Sequence, residues 1–282
     1  MRRQALWYHR RMCPPGLRRL GAALLLVAIS SSLAAAEAPD PLLIARRLYN
    51  QGQFDQALEA AKQAAANPSI VSSARLVMGR ARLERYRQTP VPGELDIART
   101  ELRTVDPRAI DARERLELQI GFAELLYFED RFGAAAELLD PVIEASATLA
   151  PESHDRALDW WATALDRQAQ SSSPPDRGLV HFRISERMEQ ELRRDPASVP
   201  ASYWLAASAR GAGDLDRAWS AASAGWIRAS LARERGDALR ADLDKLVTQA
   251  IIPERAARLP AKDRRQAAAA MTADWEAFKK VW

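Results

Sequence analysis

A six-residue pattern returns three times along this chain. It reads Gly52-Gln53-Phe54-Asp55-Gln56-Ala57, then Asp130-Arg131-Phe132-Gly133-Ala134-Ala135, then Gly213-Asp214-Leu215-Asp216-Arg217-Ala218. Each copy places a small or turn-forming residue, an apolar residue two positions on, and an alanine three after that. Each lies between two segments whose apolar residues recur at helical spacing. Recurrence of this kind constrains the fold strongly. A helical hairpin that cannot bury its apolar faces alone must stack on further copies of itself. Only 12 Gly are present, no long run alternates β-branched residues, and Ala, Leu, Arg and Glu dominate. The expectation is an all-α chain.

Asp40-Pro41 predicts a capped helix start, with a helix to about Asn50 and a second from about Gln53 to Ala66 that stops at Asn67-Pro68. A second pair is expected at Ser72–Gln88 and Glu94–Val105, separated by a Pro-rich insertion and ending at Asp106-Pro107. The third covers Arg108–Glu129 and Arg131–Ala147, with a kink or break at Pro141. The fourth covers Glu152–Ala169 and Asp176–Arg194, ending at Asp195-Pro196. The fifth covers Ser198–Arg210 and Leu215 to about Ala232. Beyond Gly236 the pattern stops. A helix is expected over Asp237–Ala250, a break at Ile251-Ile252-Pro253, and a last helix from about Ala261. That helix carries Met271, Trp275, Phe278 and Trp282 on one face, an apolar stripe suited to capping the open end of a stack.

Gly52, Phe54, Ala57 and Ala64 resemble the tetratricopeptide repeat (TPR) pattern, in which a small residue, an aromatic and Ala pack paired helices together; Ala45 stands where that family usually has Gly. The resemblance spans about residues 38–232 and is sharpest in the first hairpin. It implies a TPR-like helical-hairpin solenoid of about five degenerate pairs over residues 37–235, with a C-terminal helical cap over 236–282. It also implies protein or peptide binding on a concave surface lined by the first helix of each pair. Carried over position by position, the groove residues are Arg46, Tyr49, Asn50, Arg80, Glu84, Glu124, Tyr127, Phe128, Tyr203 and Arg210. The Asn and Lys clamp with which some TPR proteins hold a chaperone tail is not expected, since the chain has only Asn50 and Asn67.

Residues 1–36 differ from the rest. Six Arg with no acid precede an apolar run, Leu20–Ile29, and the small-residue end Ala34-Ala35-Ala36. That order is the order of a secretory signal peptide, cleaved after Ala36. It predicts a periplasmic protein of a Gram-negative-type bacterium. The alternative is an uncleaved inner-membrane anchor, because Leu20–Ala36 contains no charge. The chain holds 41 basic and 37 acidic residues, so removing the leader leaves 35 against 37. The basic character belongs to the leader, and a nucleic-acid surface is not expected. The single Cys13 lies in the leader, which leaves the remainder without thiol catalysis, disulfides or Cys-bound metal.

No catalytic residue, cofactor or metal site is assigned. His154 beside Ser153 and Asp155 cannot form a triad, because neighbours on a helix start do not face one another. His181 has no second His or Cys for zinc. Gly211-Ala212-Gly213 follows a helix and reads as a turn, not a nucleotide loop. Trp160, Trp161, Trp204, Trp219 and Trp226 are expected mainly as filler between helices. An enzyme with a groove site is the remaining alternative, and it would need a convergent ionisable cluster.

Overall fold

The computed structural model describes residues 40–145 and 151–282. The expected leader lies outside the described residues. Within them there are helices and no strand. Five successive hairpins are α1 Pro41–Asn50 with α2 Phe54–Ala64, α3 Val71–Gln88 with α4 Glu94–Arg103, α5 Ala112–Phe128 with α6 Phe132–Ala145, α7 Pro151–Gln170 with α8 Pro174–Arg194, and α9 Val199–Gly211 with α10 Leu215–Arg228. Three further helices follow: α11 Gly236–Leu246, α12 Ile252–Ala257 and α13 Arg264–Val281. None of these helices is long and apolar enough to cross a membrane.

The recurring six-residue pattern is one turn, built three times. Its first residue has a left-handed backbone in every copy, with φ of +73° at Gly52, +57° at Asp130 and +81° at Gly213. The N–H of that residue bonds three residues back, to Tyr49, Tyr127 and Arg210 respectively. The next N–H bonds five back, to Leu48, Leu126 and Ala209. This pair of bonds satisfies carbonyls that a helix end leaves open, and it needs a left-handed residue at the corner. Asp130 is the costlier occupant, although Asp tolerates that conformation better than most residues. The closing alanines, Ala57, Ala135 and Ala218, are fully buried, because any larger side chain there would push the paired helices apart.

A second turn recurs between hairpins. Asn67, Asp106 and Asp195, each followed by Pro, accept with a side-chain oxygen from the N–H two residues on, at 3.0, 2.9 and 2.9 Å. The side chain thus mimics a backbone turn where Pro has already stopped the helix.

The core follows the hairpins as a series of apolar clusters. Leu102 of α4 is fully buried between Gly79 of α3 and Gly121 of α5; a Cβ at Gly79 would come within 2.6 Å of its Cδ2. Trp161 is buried among α5–α9, and Trp204 lies in the same cluster. Each odd-numbered helix touches the next, from α1 through α3, α5, α7 and α9 to α11, with α5–α7 the thinnest join. The later even-numbered helices are bridged by ion pairs. Arg183 of α8 reaches Glu137 (2.9 Å) and Asp140 of α6, and Arg187 reaches Asp140 (3.6 Å) and Glu144. Arg217 of α10 pairs with Glu189 of α8, and Arg255 of α12 with Asp216 of α10.

Several expectations are corrected. The fifth helix starts at Ala112, not Arg108, because Asp111 and Glu114 form a reciprocal capping box across the start. Helix α6 does not break at Pro141; Val142 and Ile143 beyond it are fully buried, and their packing holds the last turn. The chain does not break at Ile251-Ile252-Pro253 either. Val247–Ile251 forms a π turn, with Ile252 N–H bonded to Val247 O, and α12 follows directly. Widening the helix by one residue just ahead of Pro253 accommodates the missing N–H. The last helix begins at Arg264. Its Trp275 is fully buried against Trp219, Trp226 and Phe278, whereas Trp282 at the end of the stripe is 59% exposed.

Candidate functional site

Spacing on the odd-numbered helices sets the site. Arg46, Tyr49 and Asn50 on α1, Arg80 and Glu84 on α3, Glu117 and Glu124 on α5, Asp159 and Asp166 on α7, and Tyr203 and Arg210 on α9 stand at intervals of three, four or seven. Each set therefore shares one helix face. Because the odd helices touch in sequence, these faces adjoin.

The first three faces meet in a buried polar cluster. Arg80 is buried and stacks on the Tyr49 ring, its guanidinium carbon 4.9 Å from the centroid. Its Nη1 lies 3.6 Å from Glu117. Glu84, also buried, accepts from Arg87 Nε at 2.8 Å. Glu124 is 2% exposed. Arg46 pairs with Glu114, the residue that closes the α5 capping box. Tyr49 Oη, Arg80 Nε and Glu124 Oε1 are buried with no hydrogen-bond partner among the described residues. Orphaned polar atoms cost free energy, and three in one cluster are unusual for a structural core.

The electrostatics follow from that burial. Loss of water pushes the Glu124 carboxyl up to about 7; Arg80 opposes the shift and Glu84 adds to it. Burial likewise raises the Tyr49 hydroxyl, partly countered by Arg80. Burial works against the Arg80 charge, but Tyr49, Glu124 and Glu117 outweigh it and hold the guanidinium protonated.

The next faces have a different character. Tyr127 packs edge to face on Trp160 at 4.9 Å and on Phe132 at 5.2 Å. Phe128 lies against Trp160 at 5.7 Å and Tyr86 at 5.3 Å. Trp204 donates Nε1–H to Asp159 at 2.7 Å, and Tyr203 packs on Trp204. Burial raises the Tyr203 hydroxyl, and Asp242, Asp166 and Asp159 raise it further. Burial also raises Tyr127; Arg167 opposes, while Asp166, Asp130 and Asp159 add. The same aspartates of α7 therefore act on tyrosines from α5 and α9.

Of the sequence-predicted residues, Arg46, Tyr49, Arg80, Glu84 and Glu124 come together in the polar cluster. Tyr127, Phe128 and Tyr203 fall in the aromatic region. Asn50 is exposed at the end of α1, apart from both. Arg210 is held by Glu254 of α12, with Nε at 2.9 Å. Trp160, Asp159 and Asp166 were not among the groove candidates, because the fourth hairpin has neither the six-residue turn nor a close-packing glycine such as Gly79 of α3, and Asp242 lies on α11 beyond the repeats. The seven-residue Asp159/Asp166 spacing was the available signal.

Both described histidines have packing roles. His154 Nε2 lies 2.9 Å from Glu191 of α8. His181 is buried over Gly211, where a Cβ would run into the imidazole, and its burial lowers its pKa. Among the described residues no group of His, Cys, Asp or Glu is arranged to hold a metal.

No protein-family model matches the chain, and no curated protein matches it.

Proposed function

We propose that this chain is an exported, TPR-like solenoid that binds a protein or peptide along the row of odd-numbered helices and catalyses nothing itself. The observation that carries the reading is the continuity of that row. Consecutive helices touch and each presents a polar or aromatic stripe on the shared side. Recognition of an extended segment needs such a run of adjoining faces, with aromatic anchors and polar groups that fix register. The triple recurrence of one helix-ending turn supports the repeat character. The Arg-rich, then apolar, then small-residue order of residues 1–36 supports export to the periplasm. The near-balanced charge of the remainder argues against a nucleic-acid partner.

A photocrosslinking residue placed at Tyr127 or at Tyr203 in cells tests the surface. Adducts to a discrete partner are expected at both positions and not at Leu179, an exposed residue of α8. Adducts at Leu179 alone would assign binding to the even-numbered helices and overturn the reading. Intact-mass analysis of the same protein tests export, with a chain beginning at Glu37 expected. A full-length chain that resists carbonate extraction would replace export by an uncleaved anchor.

A further inference from the structure

We infer that the partner of this surface is a cationic segment, one carrying Lys or Arg side chains, and that it docks across α5, α7, α9 and α11. The inference rests on the binding reading above and adds the chemistry of the occupant. Tyr127, Trp160 and Tyr203 supply half-buried rings in that region, and Trp204 is buried beside Tyr203. Asp159, Asp166 and Asp242 stand among them. Asp159 accepts only from the neutral Trp204 indole, and Asp166 from the neutral Gln170 amide. No Arg or Lys pairs with any of the three among the described residues.

Elsewhere on the molecule the arginines find carboxylates readily. Arg235 takes Asp155, one turn before Asp159 on the same face, and Arg210 takes Glu254. Among the carboxylates left without one, Asp159 and Asp166 act on both Tyr127 and Tyr203, and Asp242 acts on Tyr203. Burial raises the Asp159 carboxyl, the Trp204 bond opposes the rise, and the like charges of Asp242 on α11 and Asp155 add to it. Like charges held together without a cation cost free energy, and a cation supplied from outside removes that cost. A Lys or Arg side chain fits doubly, because its charge meets the carboxylates and its stem and head stack on the aromatic rings. An acidic segment would add to the repulsion.

The test uses three fluorescein-labelled peptides on the full-length chain, followed by anisotropy: alternating Lys and Ser, Gln and Ser, or Glu and Ser. The Lys peptide is expected to bind, the Glu peptide not to bind. The charge-removing variant D159N/D166N/D242N keeps side-chain shape and is expected to weaken the Lys peptide roughly tenfold or more. A variant with Glu186 of α8, Asp263 at the start of α13 and Asp274 of α13 changed to their amides removes the same charge elsewhere and is expected to leave binding intact. Equal loss in both variants, or none in the first, overturns the inference. If the Gln peptide binds as well as the Lys peptide and both are lost in Y127L/Y203L, the binding surface stands and its cationic preference falls. If no peptide binds, or binding ignores every variant, both readings fall together. Thermal melts of each variant establish that loss of binding is not loss of fold.

Discussion

The two ends of the helix row are joined by opposite means. At the first end, α1, α3 and α5 meet over Tyr49, Arg80, Glu84 and Glu124, with three polar atoms left unpartnered. At the other, α10, α11 and α13 meet over Trp219, Trp226 and Trp275. There Trp275 donates to Asp244 at 2.8 Å, and Trp226 Nε1 and Arg228 Nη1 of α10 are the unpartnered atoms among the described residues. The second seam is made of area removed from water, which stabilises wherever it occurs. The first is made of groups that lose hydration and regain it only in part. A sequence selected for stability alone would fill the first seam as it fills the second; local sacrifices of this kind mark positions kept for another reason.

The largest test of this contrast is Trp275→Ala. Emptying the middle of the aromatic seam should cost about 3–5 kcal/mol by urea denaturation. A cost under about 1 kcal/mol would mean the last helix is an appendage.

Next is Glu124→Gln, with the opposite sign. The folded pKa of Glu124, about 7, lies above its ordinary value of 4.5. Its contribution is therefore fully present below pH 4.5 and is lost as pH rises through 7. The parent chain should lose up to about 3 kcal/mol of stability from this group between pH 4.5 and pH 8. The glutamine variant should lack that slope and be the more stable at pH 8. Identical pH profiles would show that the first seam is hydrated and no costlier than the second.

Smaller is Gly211→Ala, which forces the His181 imidazole aside and should cost about 1–3 kcal/mol. The hairpin corners should respond least and alike in both halves. Gly52→Ala is expected to lose about 1 kcal/mol and Asp130→Gly to gain a comparable or smaller amount. Both shifts read as displaced denaturation midpoints.

What was legible in the sequence was local. The left-handed corner, its buried alanine and the Asx-Pro turns each need only a few consecutive residues, so spacing reports them. The Asp111-to-Glu114 cap was equally local and would have corrected the start of α5. The π turn before Pro253 was not readable, because it depends on Val247 and Ile251 being drawn into a core formed with other helices. The site divides the same way. The positions carried over from the TPR resemblance bring Arg80, Glu84 and Glu124 to the seam of α1, α3 and α5. They carried no information on depth, so residues read as groove-lining turned out to be largely enclosed. The α7 aspartates escaped because their hairpin has neither a corner of the recurring type nor a close-packing glycine like Gly79 to count from.

The arginines that tie α6 to α8, α8 to α10 and α10 to α12 have a mechanical consequence. Direct packing runs along the odd-numbered helices, while these outer links are charge pairs mostly open to water. Such pairs contribute little each and weaken as salt screens them. Neighbouring hairpins are thereby jointed like the leaves of a door hinge, with a pin of packed side chains and clasps that release one at a time. Torque that spreads the leaves spends charge attraction first and leaves the hydrophobic pin intact.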